Sequence, residues 1–218
     1  MSSVTDSVDL ILVRHGETDW NVEKRCQGSR DESRLTAKGI KQATELGRAL
    51  EKSPAQALIS SHQARSVQTA NIIAETLNLT VSVDPRLGEM AQGAWEGLLF
   101  PDIERQYGPV YEQFLANPLL AVPPGGESIQ ALARRVTRVA AEIAGQYAGQ
   151  TVIVVSHEIP LAALRCIDAD QPLSELWKYA PANGEIVHLS WTTDHMDWFA
   201  AFWRWLSQPW RLANGPEA

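Results

Sequence analysis

A polar leader gives way to an unbroken apolar run, Leu10-Ile11-Leu12-Val13, which stops at Arg14. A strand with one wet face would alternate, so an uninterrupted run predicts a strand covered on both faces. Thr151-Val152-Ile153-Val154-Val155 repeats the pattern and ends in Ser156-His157-Glu158. Shorter runs predict further strands over Ala55–Ser60 and Thr80–Asp84, and Glu185–Trp191 alternates as an outer strand would. Between them lie segments of helical period. Thr36 caps one that carries Ile40, Ala43, Leu46, Gly47 and Leu50, and Val67, Ala70, Ala74 and Leu77 mark a second. Pro101–Leu115 can form a third with Asp102 as its cap. Ser128 caps the clearest, with Ile129, Leu132, Val136, Val139, Ile143 and Tyr147 on its inner face. Ile159–Cys166 forms the next, with Pro160 in the first turn, where proline is tolerated. Strands alternating with helices predict an α/β fold.

Asp19–Arg34 is turn-rich and expected to be a loop, as is the glycine-bearing stretch Arg86–Gly97, whose apolar residues argue for order. Ala116–Glu127, with its prolines and glycines, predicts a loop wrapping an edge. The end of the chain differs: Trp198, Trp203, Trp205 and Trp210 fall within a segment that, over Asp197–Leu206, is apolar nearly all round as a helix. It is expected to bury both sides by packing on the body, or in a contact between two copies as a homodimer; a monotopic membrane contact is disfavoured because only Arg204 supplies positive charge.

At 218 residues, 44% hydrophobic and 21% charged, one globular domain spanning 1–218 is expected. No segment reaches the ~18 consecutive apolar residues of a membrane span, and residues 1–9 lack a secretory signal's cationic and apolar regions. A cytoplasmic protein without a membrane partner is the expectation. Cys26 and Cys166 lie far apart and outside any C-x-x-C, as two reduced thiols would. A net charge of −7 argues against a nucleic-acid partner, so an anionic ligand must be met by a few converging cations.

In open α/β sheets ligands bind beyond the carboxyl ends of strands. The polar residues at those ends therefore carry the candidate chemistry: Arg14 and His15 after the first strand, Arg65 in the first helical turn after the second, and His157 after the other fully apolar strand. Glu89 in the glycine-bearing loop adds a carboxylate. A helix start favours anions, guanidinium forks suit phosphate, and imidazole can attack or accept a proton. A metal site fits less well, because two guanidinium groups repel a divalent cation and neither H-E-x-x-H nor closely spaced ligand pairs occur. A P-loop and G-x-G-x-x-G are also absent.

The run Arg14-His15-Gly16-Glu17-Thr18 resembles the signature of the histidine phosphatase, or phosphoglycerate-mutase-like, superfamily. The likeness extends through Asn21, Gln27-Gly28, Leu35-Thr36, Ser60-Ser61 with Arg65, Glu89, Trp95-Glu96-Gly97 and Gly125-Gly126-Glu127-Ser128 to Val155-Ser156-His157. The fold this implies is a three-layer α/β sandwich, a mostly parallel central sheet with helices on both faces. The resemblance assigns His15 as nucleophile forming a phosphohistidine, with Arg14, Arg65 and His157 holding phosphoryl oxygens. Glu89 would be the acid and base, Glu17 an orienting residue, and Asn21, Gln27 and Gly28 part of the phosphate rim. No metal and no cofactor is implied. Gln27-Gly28 and the short Gly97–Gly125 segment resemble the phosphatase branch, whose substrates are small phosphorylated metabolites such as phosphoserine, α-ribazole phosphate or sugar phosphates. The alternatives are a cofactor-dependent phosphoglycerate mutase and a non-catalytic phospho-ligand binding module. Glu158 departs from the small residue many members carry after the second histidine. It is expected either to face solvent at its helix start or to contact a positive group, such as an amine, on the substrate.

Overall fold

The computed structural model describes residues 7–192 and His195. The tryptophan-rich segment lies outside them. Among the described residues, five strands form one sheet: β1 (Ser7–Arg14), β2 (Ala55–Ser60), β3 (Val81–Val83), β4 (Thr151–Ser156) and β5 (Ile186–Thr192), in the order β3-β2-β4-β1-β5. The first four in that order run parallel, and β5 closes the edge antiparallel to β1. Among the described residues, the α-helices that accompany them are α1 (Asp19–Val22), α2 (Ala37–Leu50), α3 (Ala64–Leu77), α4 (Phe100–Ala116), α5 (Ile129–Gln146) and α6 (Glu158–Asp168).

The unbroken apolar runs are two-faced. Along β1, Val8, Leu10 and Leu12 pack into one core with Leu132, Val136 and Val139 of α5 and Leu161 and Leu164 of α6. Ile11 and Val13 point the other way, into a second core with Leu46 and Leu50 of α2 and Ile73 of α3. Val152 and Val154 of β4 share the first core, Ile153 and Val155 the second. Period-two alternation across a sheet covered on both sides produces the three-layer sandwich.

Several boundaries differ from the pattern-based expectation. The turn-rich stretch after β1 contains α1, because Thr18 and Asn21 form a reciprocal capping box that pairs the first free amides of a short turn. Asp102 does not cap α4: the helix begins earlier, after Leu99, with Pro101 in its first turn, and Asp102 pairs instead with Arg105 at 2.6 Å. That helix is interrupted at Tyr107 (φ −128°, ψ 18°), just ahead of Pro109, which lacks the amide that would continue the ladder. Ile40 is 42% exposed, and Gly39 occupies the buried position in its place.

Candidate active site

Strand register sets the site. Arg14 pairs with Ser156 in the parallel β1–β4 ladder, so the next residues, His15 and His157, leave the sheet side by side. Their ring centroids lie 5.2 Å apart, edge to face. Ser61 follows the adjoining strand, and Arg65 sits in the first turn of α3, 1% exposed. The loop after β1 turns tightly against α2: a Cβ on Gly16 would meet the Gly39 carbonyl oxygen at 2.5 Å, and one on Gly39 would meet the Glu17 carbonyl oxygen at 2.1 Å. Neither position has room for a side chain. Glu17 turns away from the histidines, to Lys38 Nζ at 2.7 Å and Thr36 Oγ1 at 3.0 Å, and so ties the loop to the start of α2.

His15 is 2% exposed, and its Nδ1 lies 2.8 Å from the Gly16 carbonyl oxygen. A carbonyl only accepts, so Nδ1 carries the proton and Nε2 keeps its lone pair. Burial, reinforced by the Arg65 and Arg14 charges, holds the imidazole pKa well below 6.5, so the ring is neutral at pH 7. His157 is oriented from behind: its Nε2 is 2.8 Å from Ser61 Oγ and 3.2 Å from Ser66 Oγ. Burial and then Arg65 push its pKa down as well.

The two arginines are anchored at their tips. Arg65 donates from Nη1 to the Arg30 carbonyl (2.8 Å) and from Nη2 to the Gly28 carbonyl (2.9 Å). Desolvation lowers its pKa to about 10, which leaves it charged at neutral pH. Arg14 donates from Nη1 to the Pro181 carbonyl (2.6 Å) and pairs through Nη2 with Glu158 Oε2 at 2.8 Å. Glu158 stands in the first turn of α6 with its side chain 38% exposed, as expected of a helix-start carboxylate, and it also meets a cation of the protein itself. Among the described residues, three buried nitrogens of this cluster have no hydrogen-bond partner: Arg14 Nε, Arg65 Nε and His157 Nδ1. Buried polar nitrogens are rarely left so, and these belong to the three residues around one imidazole.

Glu89 stands across the cavity. Its amide donates to Gln63 Oε1 and its Oε1 accepts from the Met90 amide, both at 2.7 Å. Desolvation raises its pKa to about 7; the Met90 amide opposes the rise, the Glu158 charge adds to it, and Arg65 and Arg14 oppose it. Its backbone is held by a residue that periodicity assigns no role. Arg135 of α5 donates to the carbonyls of Arg86, Gly88 and Glu89 (2.6, 2.7 and 3.2 Å) and pairs with Glu127 at 2.8 Å. The available signal was a cation beside the inner face of an otherwise regular amphipathic helix.

Arg14, His15, Asn21, Gln27, Gly28, Arg65, Glu89 and Glu158 line one cavity of about 300 Å³; His157 is not among its lining residues and lies fully buried against His15. Asn21 Oδ1 caps α1, and Gln27 Oε1 accepts from Ser33 Oγ at 2.7 Å. Gly28 (φ +50°) has Glu96 Oε1 2.3 Å from where a Cβ would lie. Much of the remaining lining is apolar: Trp95, Tyr111, Phe114 and Trp177 with Ile103 and Ile159. Among the described residues, no cluster of His, Cys, Asp and Glu is arranged to hold a metal ion, and no helix is long and apolar enough to cross a membrane.

The sequence profile of the histidine phosphatase superfamily, branch 1, matches residues 10–205. The chain belongs to that superfamily. Phosphoserine phosphatase 1 of Hydrogenobacter thermophilus is 34% identical over 184 residues, covering 84% of this chain and 87% of that protein. A probable phosphoglycerate mutase of Salmonella paratyphi C is 36% identical over 157 residues, covering 72% and 73%. A mycobacterial glucosyl-3-phosphoglycerate phosphatase, solved with VO3, superposes with a TM-score of 0.77 at 28% identity, covering 83% of this chain and 90% of that one. The five-stranded mixed sheet and its helices have the phosphoglycerate-mutase-like architecture of such structures. Within this member of the superfamily, Ser61 joins the site from the end of β2, and Arg135 and Ser66 extend it beyond the residues the strand ends announce.

Proposed function

We propose that this chain is a metal-independent phosphatase of the histidine acid phosphatase type, hydrolysing a small-molecule phosphomonoester through a phosphohistidine on His15. The observation that carries the reading is the His15 tautomer: Nδ1 is occupied by the Gly16 carbonyl, and the Nε2 lone pair belongs to a ring surrounded by the residues of three unpartnered donors. Nε2 attacks phosphorus as the bond to the ester oxygen breaks. Arg14 Nε, Arg65 Nε and His157 Nδ1 supply hydrogen bonds to the equatorial oxygens, already oriented before charge develops. Glu89, partly protonated at neutral pH, gives its proton to the leaving alkoxide. Water then attacks the phosphohistidine, Glu89 takes the proton back, phosphate departs and the Nε2 lone pair is restored.

Phosphatases among the relatives support hydrolysis; the likeness to a probable phosphoglycerate mutase favours a second reading, phosphoryl transfer between hydroxyls. Phosphate release from a panel of phosphomonoesters, without added metal, separates the two. The wild-type chain should release phosphate and, quenched in alkali, retain acid-labile phosphate on His15, whereas His15→Ala should do neither. Interconversion of 2- and 3-phosphoglycerate without release would select the mutase reading, and undiminished release by His15→Ala would overturn both.

A further inference from the structure

The reading of this cavity as a phosphatase site leaves one of its charges unexplained. Once a phosphate dianion is bound, Arg14 and Arg65 balance it. Arg25, which also lines the cavity, is already matched by Glu23 at 2.8 Å. Among the described lining residues, no cation is then left over to balance the Glu158 carboxylate. Its side chain is 38% exposed, yet it lines the cavity and is held on Arg14 Nη2 at 2.8 Å. Arg14 meets the phosphate through Nε, which is unpartnered, so Glu158 stays in place beside the anion. A carboxylate there repels every phosphomonoester unless the substrate brings its own positive charge.

The aromatic lining of the cavity has the matching chemistry. Trp95 packs edge to face on Tyr111 and on Phe114, both at 5.4 Å, and Phe114 does so on Trp177 at 5.3 Å. All four rings line the same cavity as Glu158 and the two arginines. Aromatic faces attract ammonium groups, and a carboxylate beside them adds direct pairing. We infer that the site selects phosphomonoesters of amino alcohols, whose ammonium group, N-methylated or not, lies between the Glu158 carboxylate and the aromatic wall. Glu158 is then a specificity-determining residue, and the wall takes the carbon body of the alcohol.

The test compares kcat/KM for phosphate release by the purified full chain across matched esters. Phosphocholine is set against dimethylbutyl phosphate, in which carbon replaces nitrogen, phosphoethanolamine against propyl phosphate, and para-nitrophenyl phosphate serves as reference. Each ammonium ester should exceed its neutral isostere by roughly tenfold or more. In Glu158→Gln, which keeps the shape and the helix start, the ratio should fall toward one. Equal rates within the wild-type pairs would overturn the inference and leave an apolar pocket indifferent to charge. So would a Glu158→Gln loss of the same factor on charged and neutral esters, the signature of a residue that only orients Arg14. Hydrolysis of the nitrophenyl ester alongside either result keeps the phosphatase reading; no release from any of the esters sinks both.

Discussion

Glu89→Gln measures the burial of the site without reference to turnover. The Glu89 carboxyl titrates at about 7 in the folded chain against an ordinary value of 4.5, chiefly because protein has replaced water around it. A carboxyl whose pKa rises on folding binds its proton more tightly in the folded state. Its ionisation therefore costs nothing below pH 4.5, erodes stability as the pH climbs from there, and reaches its full cost above about 7. About 2.5 pH units at about 1.36 kcal/mol each set an upper bound of about 3 kcal/mol. Gln carries no charge at any pH. The variant should thus match the wild type in urea unfolding at pH 4 and exceed it by up to about 3 kcal/mol at pH 8, a rise in Tm of about 6–12 °C for a chain of this size. A stability difference that does not change between the two pH values would refute the desolvated carboxyl, and with it the source of the proton assigned to the leaving group. The same proton predicts that wild-type kcat/KM on alkyl phosphates falls tenfold per unit above about pH 7, a limb that Glu89→Gln should lose along with a factor of about 10²–10⁴ in rate.

Other outcomes follow from particular contacts. In Glu89→Gln, para-nitrophenyl phosphate should still give a burst of nitrophenol, since that leaving group needs no proton, followed by a slow steady state as dephosphorylation loses its base; absence of a burst in rapid-quench measurements would count against two separate steps. Arg135→Lys retains the charge but cannot span three carbonyls and Glu127, so chemical denaturation should show a loss of about 1.5–3 kcal/mol, and kcat should fall more than KM changes. Gly39→Ala drives a methyl into the Glu17 carbonyl and displaces the loop bearing His15, which should cost about 1–3 kcal/mol in unfolding experiments and most of the activity. Cys26, its thiol pushed up to about 12 by burial, and the buried Cys166 should resist Ellman's reagent at pH 8 in the native protein and react together on unfolding.

What the sequence made legible follows from what periodicity can register. The unbroken runs of β1 and β4 announced a sheet covered on both faces, because only such a strand has no wet side to mark with polar residues. The residues ending those strands were legible as a site for the same reason, since each follows directly on a buried run. Local pairing was less visible. The capping box of α1 hid in a turn-rich stretch, and a helix of four residues has no period to detect. Ile40 and Gly39 were exchanged between inside and outside because a glycine contributes nothing to an apolar stripe, yet the near contact with the loop after β1 makes it the buried one. Arg135 and the aromatic wall are products of tertiary contact alone. Arg135 serves a loop some 46–49 positions away in the chain, and Trp177 reaches Phe114 from 63 positions away.

The hydrogen-bond ledger of the two site arginines explains how charges survive where water is excluded. A guanidinium at 1% exposure would be costly if its donors were free, and Arg65 commits both terminal nitrogens to carbonyls of the loop that follows α1. Arg14 does the same with the Pro181 carbonyl and Glu158. Those bonds fix the planes of both groups, so the one nitrogen each leaves unpartnered, Nε, is held in place rather than searching for a ligand. His157 follows the same arrangement, with Nε2 engaged by Ser61 and Ser66 and Nδ1 unpartnered. Donors oriented in advance need no reorganisation as charge builds on a phosphoryl group, which is where electrostatic catalysis gains most. The corollary is that second partners matter as much as the charged residues themselves. Removing the Ser61 hydroxyl should free the His157 ring to turn, and its cost in kcat should exceed what one neutral hydrogen bond contributes to folding, about 1 kcal/mol.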